Sequence, residues 1–215
     1  MSKPTTTMQL LGQSLVIVMA WLVWVLLMAW SPEPFANPYL RGTVRIGILL
    51  LPAYFFLRKS GVSWLEAWYL RQNWQRGVWV GLIVSALFLS FSYFTQFRQL
   101  EMAWQVPLAF DTWFNWIIGS PFAEEVWFRA VLFGEINRQH GLLYALLGSS
   151  FMFGLLHLPT WILLDGMSAA MLAQSFGNIV VYGLVFALLF KVTGSLWAPL
   201  VPHWLNNLFI QGFLP

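Results

Sequence analysis

The side chains in this sequence able to do chemistry fall in three short stretches: Glu124-Glu125-x-x-x-Arg129, Phe153-x-x-x-His157 and His203-x-x-x-Asn207. Each is set among apolar and aromatic residues, where lipid or protein interior is expected. A charged side chain at the centre of a membrane helix costs roughly 2.5–3.5 kcal/mol on insertion scales, so the cost must be offset by pairing or by function. Glu125 and Arg129 stand four residues apart, the spacing at which a carboxylate and a cation meet on one helical face. Glu124 is rotated about 100° from Glu125, so one carboxylate is held by the arginine while its neighbour stays free. His203 and Asn207 are also four apart, which points both into the same cavity. A free carboxylate, two histidines and an amide on three helices make a general base with polarising donors. No Ser or Cys suited to nucleophilic attack accompanies them, which favours direct attack by water.

Each residue also has a plainer reading. A buried Glu–Arg pair locks two helices together just as well. A lone His157 or Asn207 serves as an interhelical hydrogen-bonding group. His140, beside Gly141 in a polar turn, reads as solvated. The joint occurrence favours chemistry. Glu with two His is a conceivable zinc set, but the local His-Glu-x-x-His spacing is absent, and no metal or cofactor is expected.

The elements that must position these residues are membrane helices. Of 215 residues, 59% are hydrophobic and 9% charged, against about 25% charged in soluble domains; the mean hydropathy is +0.69. The net charge of +3 is too small for nucleic-acid binding, and the absence of cysteine removes disulfides and Cys-ligated zinc. Fourteen Trp and six Tyr suit interfacial belts. Apolar runs predict helices over 9–30, 43–57, 77–97, 113–137, 141–158, 169–190 and 195–212. The fourth is interrupted at Gly119-Ser120-Pro121, with Ser120 as N-cap and Pro121 at N1; the fifth stops at Pro159. Gly77-x-x-x-Gly81 marks a close helix contact. The expected fold is all-α, one integral membrane domain over 1–215 of seven to eight transmembrane helices, with its motif-bearing core at about 113–212. Lys3, the Arg58–Arg76 loop, Arg138 and Lys191 on one side, against Arg41, Arg45 and Arg98 on the other, predict a cytoplasmic N-terminus in the cell membrane.

The three motifs, in this order and followed back to the lead-in Gly194-Ser195-Leu196-Trp197-Ala198-Pro199, resemble the CAAX protease and bacteriocin-processing (Abi) family of intramembrane glutamate proteases. The resemblance covers roughly residues 113–212. It implies that Glu124 is the catalytic carboxylate activating water with help from His157. It further implies that His203 and Asn207 stabilise the oxyanion, and that Glu125 and Arg129 hold the helix and orient Glu124. The substrate would be a membrane-associated peptide or protein. Two other classes compete: a non-catalytic membrane scaffold or immunity-type protein, and a proton-coupled transporter, since intramembrane Glu and His also build proton relays. No repeat links two halves as a transporter of inverted repeats requires.

Overall fold

The computed structural model of the chain describes residues 7–31, 33, 37–58, 64–94, 104–106 and 109–212. Among them there is no strand, and the architecture is all-α. Seven long helices follow in order: α1 (Thr7–Trp30), α2 (Pro38–Arg58), α3 (Trp74–Ser92), α4 (110–140), α5 (Leu142–Leu163), α6 (Ala169–Thr193) and α7 (Trp197–Gln211). A one-turn helix, Trp64–Ala67, sits between α2 and α3. The chain is an integral membrane protein: α3, α5 and α6 each have the length and hydropathy to cross a bilayer. The described part of α1, Ser14–Trp30, is apolar but shorter. Of the expected topology signals, Lys3, Lys59 and Arg98 lie outside the described residues.

Two boundaries differ from the sequence expectation for a physical reason. Pro38 begins α2 five residues early, because proline is tolerated in a first turn where its missing N–H would be unpaired anyway. Arg41 is thereby moved from a loop into the helix that already held Arg45. Pro159 does not end α5, which continues to Leu163; in membrane helices neighbouring elements sustain the backbone around a proline.

α4 is the axis of the molecule. Every residue from Val126 to Phe133 is buried, the pattern of a helix surrounded by others. Phe128 meets Phe153 of α5 edge-on at 5.2 Å, and Phe133 meets Phe190 of α6 at 5.9 Å. The core continues through Trp21, Trp24 and Val25 of α1 and Leu49 and Ala53 of α2. The expected break at Gly119-Ser120-Pro121 is absent. Instead α4 runs unbroken, α-helical at Ser120–Glu125 and underwound to π-helix on either side, at Trp113–Gly119 and Val126–Phe133. Ser120 has helical torsions and caps nothing. π-wound turns are uncommon and gather at functional sites.

α7 packs along α3 through the small residues the sequence singled out. A Cβ on Gly81 would lie 2.9 Å from Val201 Cβ and 3.1 Å from the Ala198 carbonyl oxygen. Pro202 has no N–H to give that carbonyl, so the glycine face of α3 comes to rest where the α7 backbone ladder is open. At one end of the bundle the loop before α3 is tied to the end of α6 and the start of α7: Asn73 Nδ2 donates to Thr193 O at 2.9 Å and Trp197 Nε1 to Leu70 O at 2.9 Å.

Candidate active site

Glu124 and Glu125 sit on the α-wound section of α4, both buried. The spacing argument places them correctly relative to one another: Arg129 Nε is 2.9 Å from Glu125 Oε2. This contact is Coulombic, since no Arg129 N–H meets hydrogen-bond geometry with any described residue. The guanidinium is wholly buried instead against aromatic faces, 5.0 Å from the Phe153 ring centre and 5.9 Å from Phe186.

Glu124 is not free, contrary to the expectation for the second carboxylate. Its Oε1 accepts from Ser120 Oγ at 2.6 Å, one helical turn back, and from Arg45 Nη2 of α2 at 3.3 Å. The Arg45 guanidinium lies between two indoles, 4.6 Å from the Trp116 ring centre and 5.5 Å from Trp21. Two carboxylates are therefore matched by two guanidiniums, which is how a membrane interior tolerates them. Arg45 reaches this place because α2 comes close to the start of α4 at Gly42, where any side chain would collide with the Asn115 amide. Asn115 Nδ2 fixes the same approach by donating to Pro38 O at 3.0 Å.

A cavity of about 430 Å³ opens beside Glu124, lined also by His157, Arg45, Arg41, Trp161 and Asp165. His157 projects from α5; its Nδ1 donates to Phe153 O at 2.8 Å, which leaves Nε2 as an acceptor in the neutral ring. Glu124 and His157 thus share one space, as the motif reading requires.

His203 and Asn207 fall elsewhere. His203 is buried between the carboxylates: Nδ1 is 2.9 Å from Glu125 Oε1, and Nε2 is 3.8 Å from Glu124 Oε2. It stacks on Phe186 at 5.3 Å, and it is not among the cavity's lining residues. Asn207 does not line the cavity either; its Nδ2 donates to Trp116 O at 2.8 Å. The reason lies in the π-winding of α4. The π-helical donor for the Trp116 carbonyl would be the N–H of residue 121, and Pro121 has none. The Asn207 amide fills the gap, and nearby Trp204 Nε1 also donates to Ile118 O at 3.1 Å. Shared-face spacing correctly puts His203 and Asn207 on the side of α7 that meets α4, but it cannot tell a cavity from a carbonyl.

Sequence reasoning missed Arg45 and Ser120 as partners of Glu124. For Ser120 the signal was present: it stands at i−4 from Glu124, the spacing of side-chain pairs on a helix. For Arg45 the signal was weaker, a cation inside an apolar helix that needed a partner. Among the described residues no group of three His, Cys, Asp or Glu side chains is arranged to hold a metal ion.

Comparison with known proteins bears on the same half of the chain. No curated protein and no solved structure matches it. Residues 104–209 match the family model described as type II CAAX prenyl endopeptidase Rce1-like, and this span contains every motif residue from Glu124 to Asn207. Over residues 104–209 the chain is thus similar to the Rce1-like type II CAAX prenyl endopeptidase family.

Proposed function

We propose that this protein is an intramembrane endopeptidase in which water, activated at Glu124, hydrolyses a peptide bond of a membrane-associated protein or peptide. The observation that carries the reading is the cavity shared by Glu124 and His157. A carboxylate in a low-dielectric, water-accessible pocket is a capable base, and 430 Å³ is within the size range of small-molecule and peptide side-chain sites. Water gives a proton to Glu124 while its oxygen bonds to the carbonyl carbon and the carbonyl electron pair moves onto oxygen. His157 Nε2 accepts a hydrogen bond from the second O–H, which stays on the attacking oxygen, and so orients the attack. Collapse of the tetrahedral intermediate restores the carbonyl and breaks the C–N bond, and the departing nitrogen takes the proton from Glu124.

His203 and the Glu125–Arg129 pair hold the Glu124 carboxylate from behind. The chain acts as a single membrane domain of seven spans, with its N-terminus on the cytoplasmic side of the cell membrane. One observation favours a non-catalytic scaffold instead, namely the Arg45–Glu124 ion pair, which occupies an oxygen of the would-be base.

The test uses purified protein in proteoliposomes with a pool of lipid-anchored peptides, prenylated and acylated, in H₂¹⁸O. Mass spectrometry should find new C-termini carrying one ¹⁸O. Glu124→Gln should abolish them while the thermal unfolding of the protein is retained. Full cleavage by the Glu124→Gln protein would sink the assignment.

A further inference from the structure

We infer that a second copy of this chain covers the outer face of α6, the two helices pairing across a two-fold axis through the carboxamide of Asn178. Neither Asn178 nor its neighbour on that face, Gln174, lines the Glu124 cavity, so the pairing is independent of any hydrolysis there.

α6 has the length and hydropathy of a membrane span, and one side of it is packed within the bundle. A Cβ on Gly183 would lie 3.0 Å from Ser150 of α5, Tyr182 meets Phe88 of α3 edge-on at 5.3 Å, and Phe186 stacks on His203 of α7. The other side carries Gln174, Gly177, Asn178, Val181 and Leu188, all exposed and spaced as one stripe of a helix. A stripe that faces hydrocarbon should be apolar throughout, and this one is not. The apolar stretch of α6 runs from Ser168, which caps the helix, to Lys191 in its last turn. At 1.5 Å per residue, Asn178 lies about 3 Å from the middle of that stretch and Gln174 about 8 Å. Neither amide has a hydrogen-bond partner among the described residues. Lipid tails offer none, and an unpaired carboxamide in hydrocarbon is strongly unfavourable.

A second copy brings the missing groups to the right depth. Copies inserted by the same route share one orientation, so a two-fold axis between them runs along the membrane normal and their α6 helices are parallel. Residues near the axis then meet their own counterparts. A carboxamide holds N–H donors and a carbonyl acceptor together, so Asn178 can both give to and accept from Asn178 of the other copy. Gly177 lies beside it, where an added Cβ would meet nothing within 4 Å; the bare backbone lets two helices approach closely enough for short side chains to touch. Gln174, one turn away, repeats the arrangement. An unrelated helix would need a polar residue at this one depth, whereas a second copy has it by symmetry.

The test uses the full chain, labelled at its N-terminus and reconstituted in liposomes over a range of protein-to-lipid ratios, with dimerisation read by energy transfer. The wild type should dimerise. Asn178→Leu should weaken the dimer about tenfold, as expected for the loss of two interhelical hydrogen bonds, while leaving the Tm of the dilute monomer in detergent unchanged. Asn178→Gln, which keeps the amide, should recover part of the affinity. The chain has no cysteine, so an introduced one reports contact: on oxidation Val181→Cys should give a disulfide-linked dimer, and Val23→Cys, also exposed but on α1, should not. A chain that stays monomeric at every ratio overturns the inference. So does a dimer that Asn178→Leu leaves intact or that Val181→Cys fails to cross-link, because it uses another face. A lower monomer Tm in Asn178→Leu would give the amide a role within one chain and overturns it as well.

Discussion

At the scale of single residues, the site is held by contacts that differ in kind. Glu125 and Arg129 form a sealed pair whose guanidinium is otherwise in contact with Phe153 and Phe186. Removing one partner of a buried pair leaves the other charge uncompensated, so Arg129→Ala should destabilise the protein by about 3–5 kcal/mol. Arg129→Met fills the same volume, yet still strands Glu125. Adding Glu125→Gln to it should therefore recover stability, as denaturant unfolding of the two variants will show. Asn207→Ala is a different case. Its amide supports a backbone carbonyl, and interhelical hydrogen bonds in membranes average about 0.6 kcal/mol with a maximum near 1.7. The expected outcome is a loss of stability in that range, measured by denaturant unfolding in detergent. Glu125, Arg129 and the pairing between them were legible in the sequence because their distance is set by one helix. Arg45 was not, because it stands 79 residues before Glu124 and only tertiary packing brings them together.

At the scale of elements, α4 and α7 carry most of the argument. Hydrophobic runs located all seven helices, since burial in lipid demands long apolar segments wherever they cross. They did not reveal the winding of α4, because a run that is apolar on every side has no phase from which a period can be read. Proline was a misleading signal at Pro159, which sits inside a helix that the surrounding bundle sustains. The contact of α3 with α7 was legible in Gly77-x-x-x-Gly81. Gly81→Val would push a branched side chain into Val201 and the Ala198 carbonyl; overpacking of this kind costs about 1–3 kcal/mol. A lowered Tm in detergent checks it. An unchanged Tm would mean that α3 and α7 can separate freely.

At the scale of the whole molecule, the bundle has two unlike ends. One is joined by residues 69–73 and 193–197 and carries Arg71, Arg76, Arg138 and Lys191. Toward the other end lie Trp30, Pro38 and Leu163, and the cavity residues Met28, Arg41, Leu164 and Asp165. If the basic end faces the cytoplasm, as the charge bias predicts, the cavity is reached from the opposite side of the membrane. The absence of native cysteine makes this directly measurable with single replacements. In intact cells a membrane-impermeant maleimide should label Asp165→Cys, and should label Lys191→Cys only after permeabilisation. The reverse pattern would place the cavity on the cytoplasmic side.

The hydrogen bonds from α7 to the π-wound stretch of α4 also bear on how the protein is made. Ribosomes deliver helices in chain order, so α4 enters the membrane with the Trp116 and Ile118 carbonyls and both glutamates before His203, Trp204 and Asn207 have been synthesised. During that interval Glu125 lacks its imidazole, and the Trp116 carbonyl lacks the donor that later satisfies it. A nascent chain arrested before α7 should therefore be recognised by quality-control proteases as unfinished, and activity should appear only when α7 is released into the bilayer.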